Sequence, residues 1–77
     1  MNLQTKILEI IQRFAKRDES PAVDESLFDS GLLDSFALPD MVSALEREFK
    51  ISIPDADLNP RKFDTVERIE AYVAGRL

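Results

Sequence analysis

Apolar side chains recur at helical spacing in three segments of the chain. Residues three and four positions apart share one face of a helix, so each segment predicts an amphipathic helix. The first covers residues 3–16, the second runs from about Ser35 to Phe49, and the third runs from Val66 to Leu77. The apolar positions are Leu3, Ile7, Ile10, Ile11 and Phe14, then Leu38, Met41, Val42, Leu45 and Phe49, then Val66, Ile69, Val73 and Leu77. Three such faces predict an all-α fold, a small bundle of three main helices around one core.

A long first crossover separates the first two helices. Residues 17–34 show no sustained period, and Pro21 and Gly31 interrupt them. A connection of this length in a compact domain needs its own packing. It contains Val23, Leu27, Phe28, Leu32 and Leu33. We therefore expect a structured crossover that packs on the core. Residues 51–54 read as an extended connector, and residues 59–63 could form one short additional helix.

Helix ends give further local predictions. Pro39 suits a first helical turn, so Ser35 or a residue just after it is expected to cap the second helix. Asp64 with Glu67 resembles a capping box for the third helix.

Three other side chains are assigned from composition and position. Asp55 and Asp57 are expected in a solvated loop, because a calcium site would need more oxygen ligands in register. Tyr72 is expected to be half-buried packing.

Composition narrows the class of protein. Seventy-seven residues make one domain, 1–77, with one modest core. The chain has no cysteine and no histidine, which argues against a metal site and against a self-sufficient enzyme with catalytic residues of its own. The chain has fifteen acidic and ten basic residues. This excess of negative charge argues against binding of nucleic acid and favours basic partners. No apolar run predicts a membrane span and no signal peptide is evident, so we expect a cytoplasmic monomer.

One local feature points to a site. On a helical wheel the second helix turns Phe36, Asp40, Ser43 and Arg47 away from its core stripe. Phe36 thus projects outward one residue after Ser35. An aspartate–serine pair before a helix is most often a simple cap. Ser35 is a weak nucleophile unless another protein supplies a base, because the chain has no histidine to activate it.

Residues 31–36, GLLDSF, resemble the attachment motif of the acyl and peptidyl carrier proteins. The similarity continues in order through residues 41–49, 51–55 and 63–66, so it spans nearly the whole chain. In this family the serine that follows the aspartate bears a 4′-phosphopantetheine arm derived from coenzyme A. The leucine pair Leu32–Leu33 also resembles that of the D-alanyl carrier proteins, but many other stand-alone acyl carriers share it, so it does not select among them.

The resemblance implies a role for each site residue. Ser35 would bear the arm, and an acyl or aminoacyl group would be held on that arm as a thioester. Asp34 would support the transfer by a magnesium-dependent phosphopantetheinyl transferase. Phe36, Asp40, Glu46 and Arg47 would contact the transferase and the loading and acyl-processing enzymes. Ala37 and Arg47 depart from the carriers of fatty acid synthesis, which favours a dedicated pathway.

Two other classes of function stay open on the residues alone. One is a helical adaptor that docks through Phe36 and is never modified, and the other is a small regulatory subunit of an enzyme. Both predict an unmodified chain, whereas a carrier gains a fixed mass when the arm is attached.

Overall fold

The computed structural model describes residues 2–77, and its regular elements within that range are helical. The helices are α1 (Leu3–Phe14), α2 (Leu38–Phe49) and α3 (Val66–Ala74). Two single 3-10 turns, Ser35–Ala37 and Asp55–Asp57, precede α2 and follow it. Both α2 and α3 pack against α1. The prediction of a small all-α bundle with three main helices is confirmed.

The core is built from the predicted stripes and from the crossover. Its fully or nearly buried apolar residues are Ile7, Ile10, Ile11, Leu27, Leu32, Leu33, Leu38, Met41, Val42, Leu45, Ile53, Phe63, Val66, Ile69 and Val73. Three of these, all leucines, come from the crossover, which confirms that this segment packs on the core. Met41 is a core residue, as predicted. Leu77, by contrast, was assigned to the third stripe wrongly, because α3 ends at Ala74 and leaves Leu77 exposed.

The ends of α1 and α2 differ from the predicted bounds. Helix α1 stops at Phe14 because Ala15 turns to extended backbone, and the Lys16 N–H bonds the Leu32 carbonyl instead, at 2.9 Å. The α-helical part of α2 begins at Leu38, three residues later than predicted. A 3-10 turn comes first: the Asp34 carboxylate caps it by accepting the Phe36 N–H, and the backbone bond from the Leu38 N–H to the Ser35 carbonyl closes it. Ala37 is the N-cap of α2, without a side-chain hydrogen bond, so the prediction of a cap at Ser35 or just after it is confirmed in position, and Asp34 caps the turn before α2.

The capping box at α3 was also wrong. Thr65 is the N-cap, and its hydroxyl accepts the Arg68 N–H at 3.1 Å. Asp64 instead accepts a hydrogen bond from the Ser26 hydroxyl at 2.7 Å, and its carbonyl accepts the Leu27 N–H at 2.6 Å. Asp64 thus fastens the crossover to the start of α3. Residues 60–63 form hydrogen-bonded turns without continuing into the short helix predicted at 59–63.

Asp57 lies in a cluster of polar side chains, which corrects its assignment to a solvated loop. Its carboxylate accepts hydrogen bonds from Lys62, from the Tyr72 hydroxyl at 2.6 Å and from Arg76 at 3.1 Å. The Arg76 guanidinium also lies over the Tyr72 ring, 5.0 Å from its centroid. The hydrogen bonds from Lys62 and Tyr72 lower the pKa of Asp57. This cluster joins the second 3-10 turn to the C-terminal part of α3, and Asp55 remains exposed.

The first prediction separates the core from the site. Leu45→Ala is expected to lower the free energy of unfolding by about 2–5 kcal/mol, because it truncates a buried side chain. Ser35→Ala is expected to change it by no more than about 0.5 kcal/mol, because Ser35 is exposed and caps nothing. Urea unfolding of both variants tests this, and a larger loss for Ser35→Ala would contradict the core assignment.

The second prediction concerns Asp57 and pH. Its folded-state pKa lies below the ordinary value of 3.8, so its contacts stabilise the fold above that value. That stabilisation is lost as the pH falls through the lower folded-state pKa. Asp57→Asn should therefore be less stable than the parent at neutral pH, and the difference should shrink under strong acid. Urea unfolding across a pH series measures it. Asp55→Asn is the matched control, and an equal, pH-independent loss in both variants would contradict the role of Asp57.

Candidate functional site

Ser35 is presented to solvent by the turn that leads into α2. It is the first residue of the 3-10 turn, and its side chain is exposed. Within residues 2–77 its hydroxyl takes part in no hydrogen bond, whereas the Asp34 carboxylate beside it does. The geometry therefore offers an accessible hydroxyl with its lone pairs and proton free.

Asp34 uses its two carboxylate oxygens differently. Oδ1 accepts the Phe36 N–H at 3.0 Å, a bond that spans Ser35. Oδ2 lies 3.4 Å from the Lys16 Nζ. The Phe36 N–H is the main cause of a lowered pKa for Asp34, and Lys16 lowers it further. Asp34 is therefore ionised at neutral pH and held in a fixed relation to Ser35.

Ser30 is the other serine that follows an aspartate, and its surroundings are different. Its hydroxyl donates to the Leu27 carbonyl and accepts the Leu32 N–H, each at 3.4 Å. The next residue, Gly31, has φ +82°, a left-handed conformation that interrupts any helix at this point. The Ser30 hydroxyl is thus engaged inside a turn, and no helix begins after it.

The outer face of α2 matches the helical wheel. Phe36 is 87% exposed. Asp40, Ser43 and Arg47 are also exposed and continue this face along α2. Glu46 behaves differently, because its carboxylate accepts the Ile53 N–H at 2.8 Å and is only partly exposed. Glu46 thus has an internal role in fastening the connector that follows α2.

The site provides a nucleophile but lacks a base of its own. The sequence contains no histidine. Residues 2–77 bring together no group of acidic side chains that could hold a metal ion. The Lys16 ammonium group is paired with Asp34, the residue before Ser35. Sequence reasoning missed Lys16, because its pairing with Asp34 depends on how the crossover returns to the end of α1.

These features suit a residue that a second protein modifies. An exposed hydroxyl on the outside of a bundle can accept a large covalent group without disturbing the core. The acceptor needs no cavity, and the unbonded Ser35 hydroxyl fits a phosphodiester link to an arm. Such a site is typical of carrier proteins, in which a flexible arm holds the cargo and partner enzymes perform the chemistry.

Comparison with known proteins agrees with this class. The family described as phosphopantetheine attachment site matches residues 5–73. The D-alanyl carrier protein of Lactobacillus acidophilus is 34% identical over 73 residues, which cover 95% of this chain and 92% of that protein. The D-alanyl carrier protein of Streptococcus sanguinis is 32% identical over 69 residues, which cover 90% of this chain and 87% of that protein.

This chain belongs to the family of phosphopantetheine-binding carrier proteins. It holds an acyl or aminoacyl group on a covalently attached 4′-phosphopantetheine, as the resemblance implied. A phosphopantetheinyl transferase attaches the arm, and loading and processing enzymes act on the cargo. No helix within residues 2–77 is both long enough and apolar enough to cross a membrane.

Proposed function

We propose that residues 1–77 form a single cytoplasmic carrier domain, monomeric in solution, whose arm is attached to Ser35. The observation that supports this best is the free, exposed hydroxyl of Ser35 beside the fixed carboxylate of Asp34. Ser30, the other candidate, has its hydroxyl engaged in a turn. Both serines lie inside the matched residues 5–73, so the local geometry favours Ser35 over Ser30.

The attachment reaction needs a partner for its proton. The Ser35 oxygen forms a bond to the phosphorus of coenzyme A that bears the pantetheine. The phosphoanhydride bond breaks, adenosine 3′,5′-bisphosphate leaves, and the serine proton passes to a base of the transferase. Asp34, the residue before Ser35, would offer a hard oxygen ligand to the magnesium of that enzyme. The terminal thiol of the attached arm then attacks the carbonyl carbon of an acyl or aminoacyl adenylate that the loading enzyme makes from ATP. The thioester bond forms, the bond to AMP breaks so that AMP leaves, and the thiol proton passes to a base of that enzyme.

The cargo proposed is D-alanine. Seven relatives named D-alanyl carrier protein are 32–34% identical to this chain over at least 69 residues. They are matched over nearly their whole length, so the similarity extends well beyond the attachment motif. An aminoacyl group held as a thioester on the arm is also within the chemistry that this family performs.

Partner recognition is proposed to use the outer face of α2, with Phe36, Asp40 and Arg47 as its exposed residues. Phe36 supplies apolar contact one residue from the attachment point. Asp40 and Arg47 are rim charges, which act mainly on the rate of association. Glu46 borders the same face, but its bond to the Ile53 N–H leaves it less free to contact a partner.

The third prediction locates the arm and tests the cargo. Treatment with coenzyme A and a phosphopantetheinyl transferase should add one arm, and peptide mapping should place it on Ser35. Ser35→Ala should abolish the mass increase, and Ser30→Ala should not. The modified chain should then accept D-alanine from an ATP-dependent enzyme that activates this amino acid, giving a thioester that hydroxylamine cleaves.

Three results of this experiment would contradict, in turn, the attachment residue, the carrier role and the cargo. Labelling that persists in Ser35→Ala would contradict the site. A parent chain that never gains mass would favour the unmodified adaptor that docks through Phe36. A chain that is modified but rejects D-alanine would contradict the cargo and leave the carrier role in place.

The fourth prediction concerns charge on α2. Asp40→Lys should slow attachment of the arm, because family transferases present basic surfaces to this helix, and Arg47→Glu should speed it. Both effects should fade with added salt. Neither change should shift stability by more than about 0.5 kcal/mol, since both side chains are exposed. Attachment rates across a salt series measure this. Ser43→Ala on the same face is the neutral control. If Arg47→Glu matches the parent at every salt concentration, Arg47 has no role in specificity.

A further inference from the structure

Lys16 forms an ion pair with Asp34, although it lies eighteen positions before it in the sequence. Its Nζ is 3.4 Å from Asp34 Oδ2, and both side chains are substantially exposed. Its backbone is fixed at the same time, because its N–H donates to the Leu32 carbonyl at 2.9 Å. A hydrogen-bonded backbone thus places the Lys16 ammonium group against Asp34, the residue before Ser35.

Neighbouring basic residues are occupied elsewhere. The Arg17 guanidinium contacts Glu19 at 3.0 Å and the Ser30 carbonyl at 3.4 Å. Lys6 pairs with Glu48 at 3.5 Å. Of the three, Lys16 is the one that contacts Asp34.

Attachment of the arm changes the charge balance of this site. Before attachment, one carboxylate and one ammonium group lie together and their charges cancel. A phosphodiester on Ser35 adds one negative charge next to Asp34, which the Phe36 N–H holds in place. Two fixed anions at neighbouring residues repel each other unless a cation lies between them. An exposed ion pair is weak, at about 0–1 kcal/mol, so Lys16 can be shared without large rearrangement.

Given attachment at Ser35, we propose that Lys16 is a positioning residue for the modified site, whose ammonium group bridges the Asp34 carboxylate and the phosphodiester of the arm. It holds the first segment of the arm near the end of α1, and the distal thiol end stays free to move. Lysine suits this task because its compact charge on a flexible stem can contact two anions from several directions.

The experiment compares the arm-bearing parent with Lys16→Gln, Lys16→Arg and the matched control Lys6→Gln, which removes a lysine from a partly exposed ion pair. Phosphorus NMR measures the shift of the phosphodiester in the folded chain relative to the same chain unfolded in urea. This folded-state shift should fall by at least about half in Lys16→Gln. In the parent, 1 M salt should reduce the shift by a similar amount, since salt then screens interactions between charges beyond about 3 Å. Lys16→Arg and Lys6→Gln should resemble the parent.

Titration of the Asp34 carboxyl carbon provides a second readout. Attachment of the arm adds negative charge and should raise the pKa of Asp34. The rise should be larger in Lys16→Gln than in the parent or in Lys6→Gln, because the bridging cation is gone.

The outcomes distinguish this role from the proposed function. A chain that gains no arm, or gains it elsewhere than Ser35, overturns the proposed function and the role of Lys16 together. A chain modified on Ser35 whose phosphorus shift and Asp34 titration are the same in Lys16→Gln and Lys6→Gln overturns the role of Lys16 alone.

Discussion

The burial of three crossover leucines is the constraint on which the site depends. Leu27, Leu32 and Leu33 are inside the core, although they belong to a segment without regular secondary structure. Backbone hydrogen bonds join Leu27 to Asp64 and Leu33 to Leu27, at 2.6 and 2.9 Å. Asp34 and Ser35 directly follow the last of these leucines, so the chain reaches the surface at a point that the core has fixed. The proposed attachment residue is therefore held in a more defined position than a residue of a free loop would be.

The same arrangement separates stability from chemistry. The fold rests on apolar burial, the dominant favourable contribution to folding, and Ser35 contributes nothing to it. The exposed turn can therefore accept a large group, and an enzyme can approach it, without any core side chain moving. The separation also explains why the chain needs other proteins, because a surface exposed enough to receive partners is too solvated to activate its own serine. Catalysis is left to enzymes with enclosed sites.

Sequence reasoning succeeded where structure is set by periodicity and failed where it is set by contacts distant in the chain. The three helices and the outward face of α2 followed from spacing alone. Asp57 was misassigned because Tyr72 and Arg76 lie fifteen and nineteen positions away. Asp64 was misassigned because it bonds Ser26, thirty-eight positions away, which left Thr65 to cap α3. Each of these polar side chains has several possible hydrogen-bond partners nearby in the sequence, and the tertiary structure determines which partner it bonds.

The cap of α2 lies just after Ser35, as predicted, but the side-chain hydrogen bond at this end comes from Asp34, which caps the 3-10 turn before α2. Aspartate and serine are both good caps, because the side-chain oxygen of either residue can accept the backbone N–H two residues ahead. Asp34 makes that bond, so the Ser35 hydroxyl stays unbonded. Had Ser35 been the cap, its oxygen would have been directed at the backbone, and attachment of a group there would break the cap. The aspartate thus serves as the structural residue of the pair, and this leaves the serine free for modification.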